Sequence, residues 1–326
     1  MSVAGKRVSL LIPTLNGAED LAKLFESLGR QTFKFHKILL IDSSSSDHGP
    51  DLARKNGATV VTIKKSEFDH GRTRQLGIDI LGNSDFVVLM TQDAFLESPE
   101  SIENLLKPFD DCQVGMVYGR QLPRPGAGLI EAHARLFNYK EDSYVVSKES
   151  SHCLGLKAIF CSNSFSAYRI EALRDVGGFP SRVILGEDTI VAGRMLRTGW
   201  KKAYAGQATA FHSHSYTIAQ EFRRCFDIGV LHAQEAWLCK EFGGTSGEGF
   251  SFVVSELKYL LRRNPFLIPS AMLRTFAKFT AYKLGTNEKN LPLKWKVKFS
   301  MHKNHWNKPV LENPACLNDR EDRRSA

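Results

Sequence analysis

Four short apolar runs, separated by segments of helical period, constrain the fold of this chain more than any other feature. Residues 8–13 (VSLLIP), 37–42 (KILLID), 59–63 (TVVTI) and 85–90 (DFVVLM) are rich in branched aliphatic side chains. Runs of that length without polar alternation are the pattern of strands buried on both faces. Between them, residues 18–28 carry apolar side chains at helical spacing, Asp47 can cap a short helix ending at Asn56-Gly57, and residues 72–81 read as helical. The alternation predicts an α/β fold, a mostly parallel sheet flanked by helices. Ligands of such sheets bind beyond the carboxyl ends of the strands. The residues there are Pro13, Thr14, Leu15 and Asn16; Asp42 with Ser43 to Ser46 and Asp47; and Thr91, Gln92 and Asp93.

Further along, residues 101–109 read as a helix and 114–118 as a strand. Residues 120–156 follow no clear period, and Pro123, Pro125, Gly126 and Gly128 suggest a loop over the sheet edge. Order resumes over 158–168, followed by helices at 169–176 and 187–198 and short strands at 202–204 and 209–211. Beyond residue 216 the pattern is helical, with segments at 218–242, 250–261 and 266–284 around a Gly-rich break. The expected organisation is one α/β domain over 1–217, a basic helical extension over 218–310, and a disordered charged tail over 311–326.

The chain carries 44 Lys and Arg against 35 Asp and Glu, a net charge of +9. That sign draws it to nucleic acid, an anionic membrane surface or a phosphorylated substrate. The excess lies mainly in the helical extension and no nucleic-acid-binding signature is present, which argues against nucleic acid. Six scattered cysteines without a C-x-x-C pair predict a reducing, cytoplasmic setting. The segment before residue 8 does not read as a signal sequence, and 266–284 is interrupted by Arg274 and Lys278, so no membrane span is expected. Peripheral attachment at the inner face of the plasma membrane through the basic extension remains open, beside a merely solvated helical face.

Neither G-x-G-x-x-G nor a Walker lysine loop follows the first strand, so dinucleotide and P-loop chemistry are disfavoured. Asp42 can accept the ring N–H of a pyrimidine, or simply close an Asx turn. Arg72 and Arg74, in EFDHGRTRQLG at 67–77, open a helix and suit a diphosphate, though a solvated basic face has the same composition. Asp93 can bind a divalent cation or serve its loop. His212 and His214, two apart in an expected strand, point the same way, and either can join Asp93 on Mg2+ or Mn2+. Glu187 and Asp188 open a helix after Gly186, as capping acids or with one carboxylate as a general base.

In order along the chain, SLLIPTLNG (9–17), ILLIDSSSSD (38–47), LMTQDA (89–94), NSFSAYRIEALRDVGGF (163–179), GEDT (186–189) and AFHSHSYT (210–217) resemble the family 2 glycosyltransferases. The fold of that family is the nucleotide-sugar-binding GT-A type. Within it, EFDHGRTRQLG, TQDA and HSHSYT are similar to the bacterial rhamnosyltransferases that build O-antigen and related polysaccharides. The resemblance implies an inverting, metal-dependent transferase. Its donor would be dTDP-β-L-rhamnose, its acceptor a lipid-linked saccharide, and its cofactor Mg2+ or Mn2+. It further implies that Thr14 and Asp42 contact the base, with Pro13, Asn16 and Gln92 in the same nucleotide-sugar site. Arg72 and Arg74 would contact the nucleotide or diphosphate. Asp93 with His212, or less readily His214, would hold metal, Asp188 would be the base and Glu187 would contact acceptor. Thr91 and Ser43 stand where the family pattern often has acids. The alternatives are another donor (galactofuranose, hexosamine or glucose) or a non-catalytic module binding an anionic surface.

Overall fold

The structure is a computed structural model that describes residue 3 and residues 5–243 and 248–306. Among the described residues nine strands form one sheet: β1 (Val8–Thr14), β2 (Lys37–Asp42), β3 (Thr59–Thr62), β4 (Phe86–Met90), β5 (Phe95–Leu96), β6 (Val114–Leu122), β7 (Tyr144–Val146), β8 (Phe165–Arg169) and β9 (Lys201–Phe211). Their order is β3-β2-β1-β4-β8-β6-β9-β5, with β7 also paired to β9. The β3-β2-β1-β4 half is parallel, as its uninterrupted apolar runs require. The other half is mixed: β8 runs antiparallel to both β4 and β6, β6 and β9 are parallel, and β5 and β7 are antiparallel to β9.

Strand periodicity divides the core into two layers. Leu10 and Ile12 of β1 face one apolar cluster with Leu21, Leu24 and Phe109, whereas Leu11 faces the other with Ile78, Tyr168 and Ile190. Adjacent residues of one strand thus belong to different layers.

Three expectations are corrected. Residues 120–156 are not one loop: β6 continues to Leu122, and the Pro/Gly-rich connection leads into a helix, Leu129–Asn138, and then β7. That helix is held by the Glu248–Arg263 helix, through His133 Nε2 and Ser255 Oγ at 2.9 Å and through an edge-on pair, Phe137 and Phe252. The two short strands at 202–204 and 209–211 are a single strand, β9. Asp47 is not the N-cap of the Gly49–Lys55 helix, whose cap position is His48. Instead its carboxylate accepts from Gly49 N at 3.1 Å and from Ala18 N at 2.9 Å, tying two helix starts together.

Beyond residue 217 the helices Ile218–Gln234 and Ala236–Phe242 place Phe226, Val230, Leu231, Leu238 and Phe242 in the same cluster as Tyr168 and Ile190. Ile268–Thr286 then crosses Ile218–Gln234 at Gly229 and Gly285, where a Cβ would collide with the carbonyl oxygens of Tyr282 and Phe226. The following segment is anchored where Asp227, fully buried, accepts from Met301 N at 2.9 Å. No helix among the described residues is long and apolar enough to cross a membrane. The tail expected over 311–326 lies outside the described residues.

The crossing makes Gly229 a sharp test of this packing. Gly229→Val should force the two helices apart and destabilise the protein by about 1–3 kcal/mol, the usual cost of overpacking. Urea unfolding would read this as a lower midpoint at unchanged slope; an unaltered midpoint would contradict the close crossing.

Candidate functional site

The carboxyl ends of β1, β2 and β4 lie side by side, with Thr14 paired in register to Asp42. Pro13 is half-buried within β1, one residue before this edge, opposite Ile41. Gln92 fastens the β1 loop to β4: its Oε1 accepts from Thr14 Oγ1 at 2.7 Å and Leu15 N at 2.8 Å, while its Nε2 donates to Leu15 O at 3.2 Å. Asn16, at a left-handed φ of 48°, bridges to the serine run, with N–H donated to Ser45 Oγ and Oδ1 accepting from Ser46 N, both at 2.8 Å. Asp42 is buried and accepts from Ser45 N at 3.1 and 3.2 Å. The Asx-type turn is therefore present, and the ends of these strands form one polar, cross-braced edge.

Asp93 follows β4, and both histidines reach it. His212 Nε2 lies 3.4 Å and His214 Nδ1 3.6 Å from Asp93 Oδ2, and the possible ligand atoms of the three residues fall within 4.8 Å of one another. They do so from the segment after β9, which ends at Phe211, so this convergence is a property of the loop rather than of strand alternation. His214 stacks on Tyr216 with ring centroids 4.9 Å apart, which fixes its plane. Burial lowers the pKa of both histidines, with His214 at about 4, so both rings are neutral at pH 7. Burial would raise the Asp93 carboxyl, but His212, Thr91 and His214 facing it hold it below its ordinary range.

Hydrogen-bond donors fix the tautomer of His212. Gln121 Oε1 accepts from Arg135 Nη1 at 2.8 Å, and Gln121 Nε2 donates to Ser162 Oγ at 2.7 Å, so the amide orientation is set by a group that can only donate. His212 Nδ1, 2.9 Å from the same Oε1, must then carry the ring proton. Its Nε2, 3.4 Å from Asp93 Oδ2, is then the ring nitrogen available to a cation. A ring nitrogen oriented by an outer amide is the usual arrangement of a histidine ligand. One carboxylate and two neutral imidazoles can hold a divalent cation and leave positions open for other oxygen ligands. The residues present therefore fit a divalent cation.

A second centre lies at the start of the Glu187–Arg197 helix. Gly186 precedes it with a left-handed φ of 77°, and a Cβ there would strike Leu231. Glu187 is buried and paired with buried Arg74 at 3.0 Å, and it accepts from Asn163 Nδ2 at 3.0 Å. Asp188 is half-buried and accepts from Asn163 N at 3.1 Å and Thr189 N at 2.8 Å. Burial, then the neighbouring Glu187 charge, push the Asp188 carboxyl up to about 7. Glu187 is lowered instead: burial opposes ionisation, but Arg74 and His70 overcome it. His70 in turn packs edge-on against His302 from the C-terminal segment, 5.0 Å between centroids.

Arg74, expected at the diphosphate, is thus turned inward onto Glu187 and the carbonyl of His70, and Glu187 is not open to an acceptor. Arg72 is exposed at the first turn, whose cap is Asp69 accepting from Arg72 N at 2.9 Å. Gly71 and Gly77 beside them have packing reasons: a Cβ would collide with Pro180 O at one and with the Leu11 side chain at the other. Sequence reasoning missed Gln121, Arg124, Arg135 and Asn163. Arg124 lies 3.2 Å from Asp20 Oδ1, donates to Asp93 O, and lines a cleft of about 450 Å³ with Gly126, Glu131, His214, Tyr216 and Gln220. Gln121 and Asn163 connect the two centres. Gln121 binds His212 and Ser162, and the next residue, Asn163, binds Glu187 and Asp188.

Residues 9–177 match the family model "Glycosyl transferase family 2". The O-antigen chain rhamnosyltransferase WbaN of Salmonella anatum is 44% identical over 300 residues, 92% of this chain and 95% of that protein. The O-antigen chain rhamnosyltransferase RfbN of Salmonella typhimurium is 42% identical over 302 residues, 92% and 96% respectively. Among solved structures, the mannosyltransferase PcManGT from Pyrobaculum calidifontis in complex with GDP-Man and Mn2+ superposes with a TM-score of 0.54 at 20% identity, covering 93% of this chain and 88% of that one. S. aureus TarS 1–349 gives 0.53 at 14% identity, covering 87% and 91%. At these identities the structural likeness speaks to the fold, which is of the GT-A type.

Gln121 gives the geometry of the His212 ring a measurable consequence. Gln121→Leu should weaken Mn2+ binding roughly 10- to 100-fold, the usual loss when a ligand's outer partner is removed. Calorimetric or EPR titration with Mn2+ reads this directly, and equal affinity of the two proteins would refute the orienting role.

Proposed function

Because the chain belongs to glycosyltransferase family 2, we propose that it transfers L-rhamnose from dTDP-β-L-rhamnose to a hydroxyl of a lipid-linked saccharide, with inversion, in O-antigen synthesis. It is a glycosyltransferase; the rhamnosyl donor is supported by the names and 92% coverage of its Salmonella relatives. The observation that carries the chemistry is the pair of centres braced through Gln121, Ser162 and Asn163: a basic carboxylate at one end, a cation-competent triad at the other.

In this reading Asp188 takes the proton of the acceptor hydroxyl as that oxygen attacks the anomeric carbon, and the bond to the diphosphate breaks in line. A carboxyl raised to about 7 suits a general base at neutral pH. Asn163 N and Thr189 N orient it, and Glu187, held ionised by Arg74, raises its affinity for the proton. Asp93, His212 and His214 would hold Mg2+ or Mn2+, which when bound neutralises charge on the diphosphate leaving group. Arg72, exposed at a helix start, adds a cation for the same group. The strand-end edge of Thr14, Asn16, Asp42 and Gln92 receives the nucleoside, with Asp42 toward the pyrimidine ring. The proposed setting is the cytoplasm, at the inner face of the plasma membrane.

A thermal-shift screen of nucleotide sugars with Mn2+ tests the donor: dTDP-rhamnose should raise the melting temperature in a concentration-dependent way, more than UDP- or GDP-sugars. A larger shift with a hexosamine or galactofuranose donor would reassign the sugar. Asp188→Asn should lower kcat about 100-fold or more with donor affinity kept. The base must be deprotonated, so wild-type kcat should fall as pH drops below about 7 and level off above it. Near-normal turnover in Asp188→Asn would remove that residue from the role.

A further inference from the structure

The Ile268–Thr286 helix is packed the opposite way from an ordinary surface helix. Its buried positions are small: Ala271, Ala281 and Gly285. Its two central cations turn inward, Arg274 to Tyr216 O at 2.8 Å and Glu221 Oε2 at 3.0 Å, and Lys278 over the Phe252 ring at 5.1 Å. Four of its large apolar side chains, Met272, Leu273, Phe276 and Phe279, are exposed instead. Met272, Phe276, Phe279 and Lys283 recur at spacings of four, three and four, on one face of the helix, with Leu273 beside them. Phe276 is 67% and Phe279 61% exposed, and Phe266, just before the helix, is 90% exposed. A contiguous apolar stripe of this kind on a folded surface marks an interaction site.

The surroundings of the stripe select the partner. Leu261, Arg262 and Arg263 lead into it and are exposed; Lys283 closes its far end with Nζ over the Phe279 ring at 5.7 Å. Between residues 257 and 300 the only acid is Glu288, which is buried and paired with Lys296. A second copy of so basic a face would be repelled. An anionic bilayer supplies both an apolar interior for the rings and negative headgroups for the flanking cations.

We propose that the outward face of the Ile268–Thr286 helix, led by Phe266, Phe276 and Phe279 and flanked by Arg262, Arg263 and Lys283, inserts into the headgroup region of an anionic membrane. The inference deepens the inner-face placement proposed above by naming the surface and adding an apolar component to it. It does not depend on which sugar is transferred.

Sedimentation of the full chain with phosphatidylglycerol–phosphatidylethanolamine vesicles, against phosphatidylcholine vesicles, tests it without donor or acceptor. The wild type should partition to the anionic vesicles. Phe276→Ser with Phe279→Ser should lower partitioning roughly tenfold or more, with the melting temperature and transfer to a water-soluble acceptor unchanged. Arg262→Glu with Arg263→Glu should lower it by a similar factor and flatten its salt dependence. Met272→Ser with Leu273→Ser provides a second apolar test if the phenylalanine pair fails to fold. Absence of wild-type binding at low salt, equal binding of the apolar variants, or a dimer that forms through Phe276 with no lipid affinity would each overturn the proposal. Loss of vesicle binding with soluble transfer intact would leave the transferase reading standing, and the reverse result would leave the membrane surface standing.

Discussion

Two adjacent carboxylates in a poorly solvated site cannot both ionise without a partner, because each uncompensated charge costs several kcal/mol or more. In this protein Glu187 has the partner. Arg74, itself buried, lies 3.0 Å away, and Asn163 donates to the same oxygen. Glu187 therefore holds its charge, and its neighbour carries the electrostatic consequence: Asp188 is the carboxylate whose proton affinity rises. The choice of Asp188 as the proposed base therefore rests on a buried pair beside it. Removing Arg74 would strand a buried charge, and breaking such pairs costs about 3–5 kcal/mol, so stability and chemistry are tied at this one contact.

The cluster of Asp93, His212 and His214 is held to this carboxylate pair by β6. Its pairing with β9 shifts register between Gly119 and Arg120, the kind of irregularity that bends a strand and re-aims its side chains. Past the shift Leu122 O accepts from His212 N at 3.0 Å, and Gln121 meets the far side of the His212 ring. From Gln121 the network passes to Ser162 and, one residue on, to the backbone N–H that orients Asp188. The cation-competent cluster and the proposed base thus depend on the same short stretch of strand.

The parallel half of the fold was readable because its strands are buried on both faces and therefore uninterrupted by polar residues. Their ends could be found by where the apolar runs stop, which is how Thr14, Asp42 and Asp93 were reached. The segment 120–156 was not readable in that way. Its Pro and Gly residues are real punctuation, but the helix after them is stabilised by Phe252 and Ser255, more than a hundred residues later, and no local pattern announces that. Gln121 and Arg135 were invisible for a related reason, since their importance is the second side of one histidine ring. Arg74 and Glu187 stand out as residue types, but nothing local in the sequence shows that they pair with each other.

Periodicity also cannot say which stripe of a helix faces the protein. Arg274 and Lys278 in 266–284 read as interruptions of an apolar segment, whereas in the folded chain they are what holds that segment down, leaving the phenylalanines outside. Arg274 does so by donating to the carbonyl of Tyr216, and Tyr216 is the ring on which His214 stacks. The outward apolar face and the histidine loop are therefore separated by a single hydrogen bond and belong to one packed unit. Any partner that fixes the orientation of this helix fixes the orientation of the cleft beside His214 as well.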